Sequence, residues 1–316
     1  MAEKKPKIVV IGGGTGSFTV LSGLRKHAAD LTAVISMADD GGSTGILREE
    51  FGVLPPGDIR RALVALSRSD KRLLSDLFNY RFENGGGLKG HAFGNIMLTA
   101  LEKITGSFED AVDEAARLLG VEGTVLPVTL DDVRLVAELE DGSEIVGETN
   151  IDIPKHDGNL KIKRVTLRPR ARLNPRARSA ILLADMVVIC PGDLYTSLAP
   201  NLLVEGMPET LKKSKAKKVY VINLLTKWGE TNGFTARDFI NALEEYLGKG
   251  VLTHAIVNTK RPSAERMRLY EKEYAEPVSV EGLNDTPLPI FGDFLRQRGF
   301  LRHDPDRLAK VLVSLL

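Results

Sequence analysis

A single cysteine in 316 residues, a net charge of only +1 and no long apolar run each remove a class of protein. Cys190 has no second thiol to meet, which excludes an internal disulfide and a cysteine-built zinc cluster. In the apolar run MVVIC it reads as a buried, inert thiol. With 43 basic against 42 acidic residues, no global field draws the chain to a polyanion. No apolar stretch reaches the ~18 residues of a membrane helix. The N-terminal MAEKKPKIVVIGGG has too short an apolar run, and no cleavage signal, for a secretory leader. The expected location is the cytoplasm, with neither nucleic acid nor membrane as partner. Internal repeats and low-complexity tracts are also missing.

What the chain does contain is alternation. KIVVI (7–11), LTAVISM (31–37), ADMVVIC (184–190), KVYVINL (218–224) and LTHAIVN (252–258) are nearly all apolar, as strands buried on both faces must be. Helical patterns separate them: SFTVLSGLRKHA after the first strand, NPRARSAILLAD with an Asn cap and Pro at the first helical position, TARDFINALEEYLGKG on a Thr cap, and a closing DPDRLAKVLVSLL. This predicts an α/β fold built on a mostly parallel sheet flanked by helices. Residues 58–120 read as largely helical, with SFED forming a capping box and Gly120 ending the last helix. Residues 122–170 read as a β-rich insertion, with a hairpin at Asp141-Gly142. The nucleotide-binding core is then expected over 1–121 and 171–316. Within 161–180 lie eight basic residues, no acid and no aromatic to stack on a base, so a solvated face is the reading there.

The loops carry the chemistry. VVIGGGTGSF places Gly12, Gly13, Gly14, Thr15 and Gly16 between a strand and a helix. Such glycines let backbone approach a ligand closely, and the helix mouth offers free N–H groups to an anion. The dinucleotide fingerprint fails at Ser17, and the Gly-Lys-Ser/Thr ending of a phosphate-binding P-loop is absent. After the second strand, ADDGGSTG sets Asp39 and Asp40 beside glycines and hydroxyls. One acid there suits a ribose hydroxyl; two suit a divalent cation facing phosphate, or a proton acceptor for an attacking hydroxyl. A solvated turn also accounts for them. LPPGDIRRAL puts Asp58 at a helix cap, GGGLKGHAFGN brings His91 and Asn95 to a turn, and PGDLYTSLAPNLL and INLLTKWGET follow two further strands. All are predicted at one sheet edge, where open α/β sheets bind ligands.

In order, GGGTG, ADDGGSTGILR, LPPGDIR, GHAFGN, PGDLYTS with PNLL, NLLTKWGET and LRHDPDRLA resemble the gluconeogenesis factor family, the bacterial branch of the 2-phospho-L-lactate transferase superfamily, from about residue 7 to 316. The resemblance implies a Rossmann-like core with an insertion. For the transferases it implies movement of a phospholactyl group from a guanosine diphosphate carrier to a deazaflavin hydroxyl, with magnesium. For the gluconeogenesis factors it implies binding of uridine sugar nucleotides such as UDP-N-acetylglucosamine, and support of cell shape and gluconeogenic growth.

By position, the resemblance assigns Gly12 to Gly16 to the diphosphate, together with Ser43, Thr196, Ser197, Asn201, Asn223, Tyr270 and Arg302 to the nucleotide. Arg48, His91 and Asn95 would face substrate. Asp39, Asp40 and Asp58 would be catalytic in a transferase, with Asp39 and Asp40 as magnesium ligands. Cys190, Asp193 and the Lys227-Trp228 pair depart from the family pattern. An acid at 193 is unwelcome against bare phosphate, and Trp228 suits either base stacking or the core. The leading expectation is a nucleotide-sugar-binding factor that needs no cofactor to bind and assembles as a homodimer. A transferase is the alternative, and an NAD-dependent oxidoreductase is the weakest.

Overall fold

The protein was described from a computed structural model covering residues 5–155, 157–283 and 285–316. Among the described residues ten strands fall in chain order: β1 (Lys7–Gly12), β2 (Asp30–Ile35), β3 (Thr124–Pro127), β4 (Arg134–Leu139), β5 (Glu144–Val146), β6 (Ile162–Arg168), β7 (Met186–Ile189), β8 (Lys217–Val221), β9 (His254–Asn258) and β10 (Leu288–Gly292). Seven of them form one sheet in the order β10–β9–β8–β7–β1–β2–β3, and every adjacent pair is parallel. Ile8, Val10, Val34, Val188 and Val219 are inaccessible to solvent, because helices cover both faces and leave no polar side for the strands to present. From β1 the chain winds outward through β2 and β3, returns to β7 beside β1, and winds out the other way. The reversal between β1 and β7 opens a crevice at the carboxyl ends of the strands.

The expected α/β class and its five central strands are present. Two further strands close the edges, β3 on one side and β10 on the other. Each contains a proline, Pro127 or Pro289, which cannot donate to a ladder and is tolerated where no neighbour needs the bond.

The helices begin with α1 (Gly14–Leu24), α2 (Gly42–Phe51), α3 (Gly57–Leu66), α4 (Arg72–Asn79), α5 (Phe93–Thr105) and α6 (Phe108–Leu119). The last four fill the span read as helical. Ser107 caps α6 by accepting the Asp110 N–H, and Gly120 ends it with φ 59°. After a short α7 (Glu148–Asp152) come α8 (Pro175–Leu183), α9 (Ala199–Leu202), α10 (Met207–Lys213), α11 (Ala236–Leu247), α12 (Ala264–Met267) and α13 (Pro305–Ser314). Asn174 caps α8 ahead of Pro175, and Thr235 with Asp238 forms a reciprocal capping box on α11.

The span 122–170 divides between two sheets. β3 belongs to the large sheet, and a three-stranded antiparallel sheet, β5–β4–β6, starts at Arg134. Its hairpin turns at Asp141-Gly142, where Gly142 has φ 86°. Leu135, Ala137, Val165 and Leu167 join the main core, so the small sheet packs onto the large one through continuous apolar contact. The basic run at 161–180 is laced with ion pairs: Lys163 and Arg164 to Glu138, Arg168 to Glu144, and Arg176 to Asp113. Among the described residues no helix is long and apolar enough to cross a membrane.

Candidate functional site

The β1–β7 crevice holds a cavity of about 630 Å³. The glycine turn after β1 forms its floor. Gly14 takes φ 55°, and a Cβ on Gly16 would stand 1.6 Å from the carbonyl oxygen of Pro191, so only glycine lets α1 start against the loop after β7. That loop is fixed by Asn223, which accepts the Gly192 N–H at 2.9 Å and donates to the Gly192 carbonyl at 2.8 Å. Leu194–Leu198 makes a π-helical turn, a widening common at functional sites, which brings Thr196 and Ser197 to the cavity.

Of the residues singled out from sequence, the cavity wall includes Gly13, Gly14, Thr15, Gly16, Asp39, Ser43, Asp58, Asn95, Thr196, Ser197, Asn223 and Arg302. The other six stand behind it, and each has a structural occupation. Gly12 is the end of β1, where a Cβ would meet that of Cys190 at 2.9 Å. Arg48, expected to face substrate, is buried and points the other way: it donates to the carbonyls of Asp39 at 2.8 Å and Val133 at 2.7 Å and pairs with Asp132. His91 braces the loop through a 3.0 Å hydrogen bond between its Nδ1 and Ser43 Oγ. Asn201 is fully buried and donates to the Ser197 carbonyl, holding the π turn from beneath. The Tyr270 hydroxyl accepts the Leu301 N–H at 2.8 Å, so it positions the segment carrying Arg302. Trp228 packs against Tyr274, ring centres 5.0 Å apart, and does not line the cavity.

Asp40 requires the largest correction. Its two carboxylate oxygens accept the backbone N–H groups of Glu148 and Thr149, at 3.0 and 2.9 Å, and so cap α7. The expected acidic pair is therefore one acid in the cavity and one structural acid behind it. Asp39, which accepts the Gly41 N–H at 2.9 Å, keeps its place in the wall. Its close acidic neighbours are Asp58 and Glu148, whose proton affinities it raises. A divalent ion beside phosphate would thus find Asp39 with Asp58, rather than Asp39 with Asp40.

Charge in the cavity is divided. Asp58 receives the Gly14 backbone N–H, so a carboxylate already occupies one amide of the glycine turn; burial, then Asp39, push its pKa up to about 6, against the pull of Arg61. Glu148 is pushed up to about 9, first by burial and then by Asp39, Asp152, Asp40 and Asp58. Glu230, held beneath the π turn, accepts the Tyr195 N–H and the Thr196 hydroxyl, both at 3.0 Å, and burial raises it to about 8. The oxygens of Asp152, Asp193 and Glu230 converge within 4.8 Å. Lys227 already supplies a cation there, 2.8 Å from Asp152 and 3.5 Å from Asp193. Asp193 is thereby paired rather than set bare against a ligand.

Sequence reasoning missed Arg61, Glu148, Asp152, Glu230 and His303 as part of this site. Glu148 and Asp152 sit in GETNID, directly after the hairpin, inside the span read only as β-rich. Only the cap by Asp40, from 108 residues away, turns it into the cavity.

The 2-phospho-L-lactate transferase (CofD) family model matches residues 8–290. A gluconeogenesis factor of Bacillus subtilis is 42% identical, with 99% of each chain covered. One of Listeria innocua is 42% identical over 99% of this chain and 97% of its own. A solved Bacillus halodurans protein superposes with a TM-score of 0.92 at 40% identity, over 99% of this chain and 100% of its own. Fold, loop order and full-length identity agree: the chain belongs to the gluconeogenesis factor branch of the 2-phospho-L-lactate transferase family.

Proposed function

We propose that the chain is a cytoplasmic factor that binds a uridine diphosphate sugar, such as UDP-N-acetylglucosamine, in the β1–β7 crevice, and links that ligand to cell shape and wall metabolism during gluconeogenic growth. The observation that carries the reading is the glycine turn at the mouth of α1, opening onto a polar cavity at the point where strand order reverses. Diphosphate would lie over Gly13 to Gly16, flanked by Arg61. Thr196, Ser197 and Asn223 would hold the nucleoside side, and Arg302 would close over it. Binding calls for no cofactor in this arrangement. Asp39 with Asp58 would hold magnesium if one accompanies the phosphates.

One observation favours the transferase as second reading. Asp58, with a pKa of about 6 and its carboxyl against the glycine turn, is suited to take a proton from an acceptor hydroxyl near neutral pH. An NAD-dependent oxidoreductase has no comparable support.

Thermal shift against UDP-N-acetylglucosamine, GDP and NAD, each with and without magnesium, separates the readings. Stabilisation by the uridine sugar supports the binding factor. A magnesium-dependent GDP response followed by deazaflavin turnover supports the transferase, and no response to any of the three overturns both. Light scattering on the same samples tests the expected homodimer.

A further inference from the structure

Arg60 is a buried cation without a counter-ion. It is only 6% exposed, and among the described residues no carboxylate forms an ion pair with it. The other buried arginine, Arg48, is paired with Asp132. A charge taken out of water is costly unless a partner offsets it, so folded chains rarely leave one unpaired. The partners of Arg60 are neutral: its Nε donates to Asn95 Oδ1 at 2.9 Å, and its Nη1 donates to Asn79 Oδ1 and, at 3.4 Å, to the Phe78 carbonyl. Its Nη2 has no partner among the described residues, yet it is not sealed from solvent as the Arg48 Nε is. Arg60 lines the cavity, so its free N–H groups open there.

The guanidinium is held before any ligand arrives. Asn95, which receives the Nε, donates in turn to Ser43 Oγ at 3.2 Å. A Cβ on Gly94 would stand 2.8 Å from the Arg60 Cδ, so α5 closes on the arginine's stem. One turn back along α3, a Cβ on Gly57 would stand 2.5 Å from Thr44 Oγ1. Thr44 is 3% exposed and lines the cavity, and its hydroxyl likewise has no partner among the described residues and is not sealed. The charge around Arg60 is unbalanced as well. Burial, then Arg61 and Arg81, lower its pKa to about 10 against a weaker pull from Asp58 and Asp39, so it stays charged at neutral pH.

Position says which part of a ligand it meets. Asn223 and Leu224 follow β8, Pro191 and Gly192 follow β7, and the glycine turn follows β1. Arg60 lies on the opposite flank, on a helix that packs against α1, β2 and β3. A nucleoside on the β7–β8 side, with its diphosphate on the glycine turn, presents to this flank whatever its second phosphate carries. Arg61 belongs to the turn itself, with its Nη1 3.6 Å from where a Cβ on Gly14 would lie.

We propose that Arg60 Nη2 binds a carboxylate on the group attached to the second phosphate, with the Thr44 hydroxyl as a further donor, so that the chain prefers a nucleoside diphosphate linked to an acidic sugar. The inference rests on the nucleotide reading above and narrows its sugar. A neutral sugar such as N-acetylglucosamine leaves the guanidinium unmet. One unpaired cation calls for one negative charge, which a carboxylate supplies through a charge-assisted hydrogen bond. A phosphate monoester carries close to two, and Asp39 in the same wall would oppose it more strongly.

Calorimetric titration tests it with UDP, UDP-glucose and UDP-glucuronic acid, on the wild-type chain and on Arg60→Gln. The two sugars differ only in a hydroxymethyl group against a carboxylate. The wild type should bind UDP-glucuronic acid about ten- to a hundredfold more tightly than UDP-glucose, the scale of a hydrogen bond to a buried charged group. Arg60→Gln keeps a donor for Asn95 and removes the charge, and should bind the two UDP-sugars alike. Equal binding of both by the wild type, or tighter binding of UDP-glucose, overturns the role of Arg60 while the nucleotide reading stands. So does binding of UDP alone with neither sugar, or a preference for the acid retained in Arg60→Gln. Absence of binding by all three overturns both. The wild-type arms decide the matter even if the variant does not fold.

Discussion

Gly16 and Pro191 touch through a missing atom: the space a Cβ would take at Gly16 is filled by the Pro191 carbonyl oxygen, 1.6 Å from where that carbon would lie. The contact sets the separation between the helix mouth and the loop after β7, and with it the width of the crevice. Alanine in a helix normally gains about 0.5–1 kcal/mol over glycine. Gly16→Ala should instead lose stability, by about 1–3 kcal/mol as in other overpacked sites, and should abolish nucleotide binding. Urea unfolding and titration with UDP check both halves; a variant more stable than wild type would show that the loop moves freely.

Asp40 is a hinge pin rather than a ligand. Because it caps α7, Asp40→Ala should cost about 1–2 kcal/mol of stability. The loss should appear first as faster amide exchange at Glu148 and Thr149, whose N–H groups it receives. Glycine-turn amides should keep their protection. Uniform exchange throughout the chain would mean that the cap does not tie α7 to the core.

Glu148 makes stability depend on pH. Its folded pKa of about 9 lies above the ordinary 4.5, so the folded state binds a proton that the unfolded chain releases. The associated stability is fully present below pH 4.5 and is lost progressively as pH rises toward about 9. By pH 7 the linkage amounts to at most about 3 kcal/mol, less what partial solvent contact screens. Glu148→Gln, which carries no charge to bury, should melt higher than wild type at pH 8 and match it at pH 4.5. Parallel melting curves for the two chains across that range would exclude a proton on Glu148.

These groups also mark where sequence reading ended. The five central strands are legible because burial on both faces forces continuous apolar runs. β3 and β10 are not, because an edge strand tolerates Pro127 and Pro289, which read as breaks. The glycine turn, Asp58 and the PGDLYTS loop reach the cavity as their local patterns promise. Arg48 and Asp40 do not, since their partners, Val133, Glu148 and Thr149, are distant in sequence. An arginine on a helix reads as exposed unless one knows that carbonyls from another segment meet it. No local pattern carries that information.

Asp58 sits on the very amide that a phosphate would want. Its carboxyl takes the Gly14 N–H, so in its charged form it competes with an incoming anion and repels it. With a pKa of about 6, it is mostly charged at pH 7.5 and mostly neutral at pH 5. The phosphates of a UDP-sugar are both esterified and hold their charge across that interval, so they add no titration of their own. Affinity for the nucleotide sugar should therefore rise as pH falls from 7.5 to 5, by about tenfold if the repulsion is worth about 1.4 kcal/mol. Asp58→Asn keeps an acceptor for Gly14 and removes the charge. It should bind at pH 7.5 about as tightly as wild type binds at pH 5, and its affinity should be flat between the two. Titration of both chains at several pH values reads this directly. A wild-type affinity that is flat, or that falls with acidification, would mean the phosphates lie away from the glycine turn.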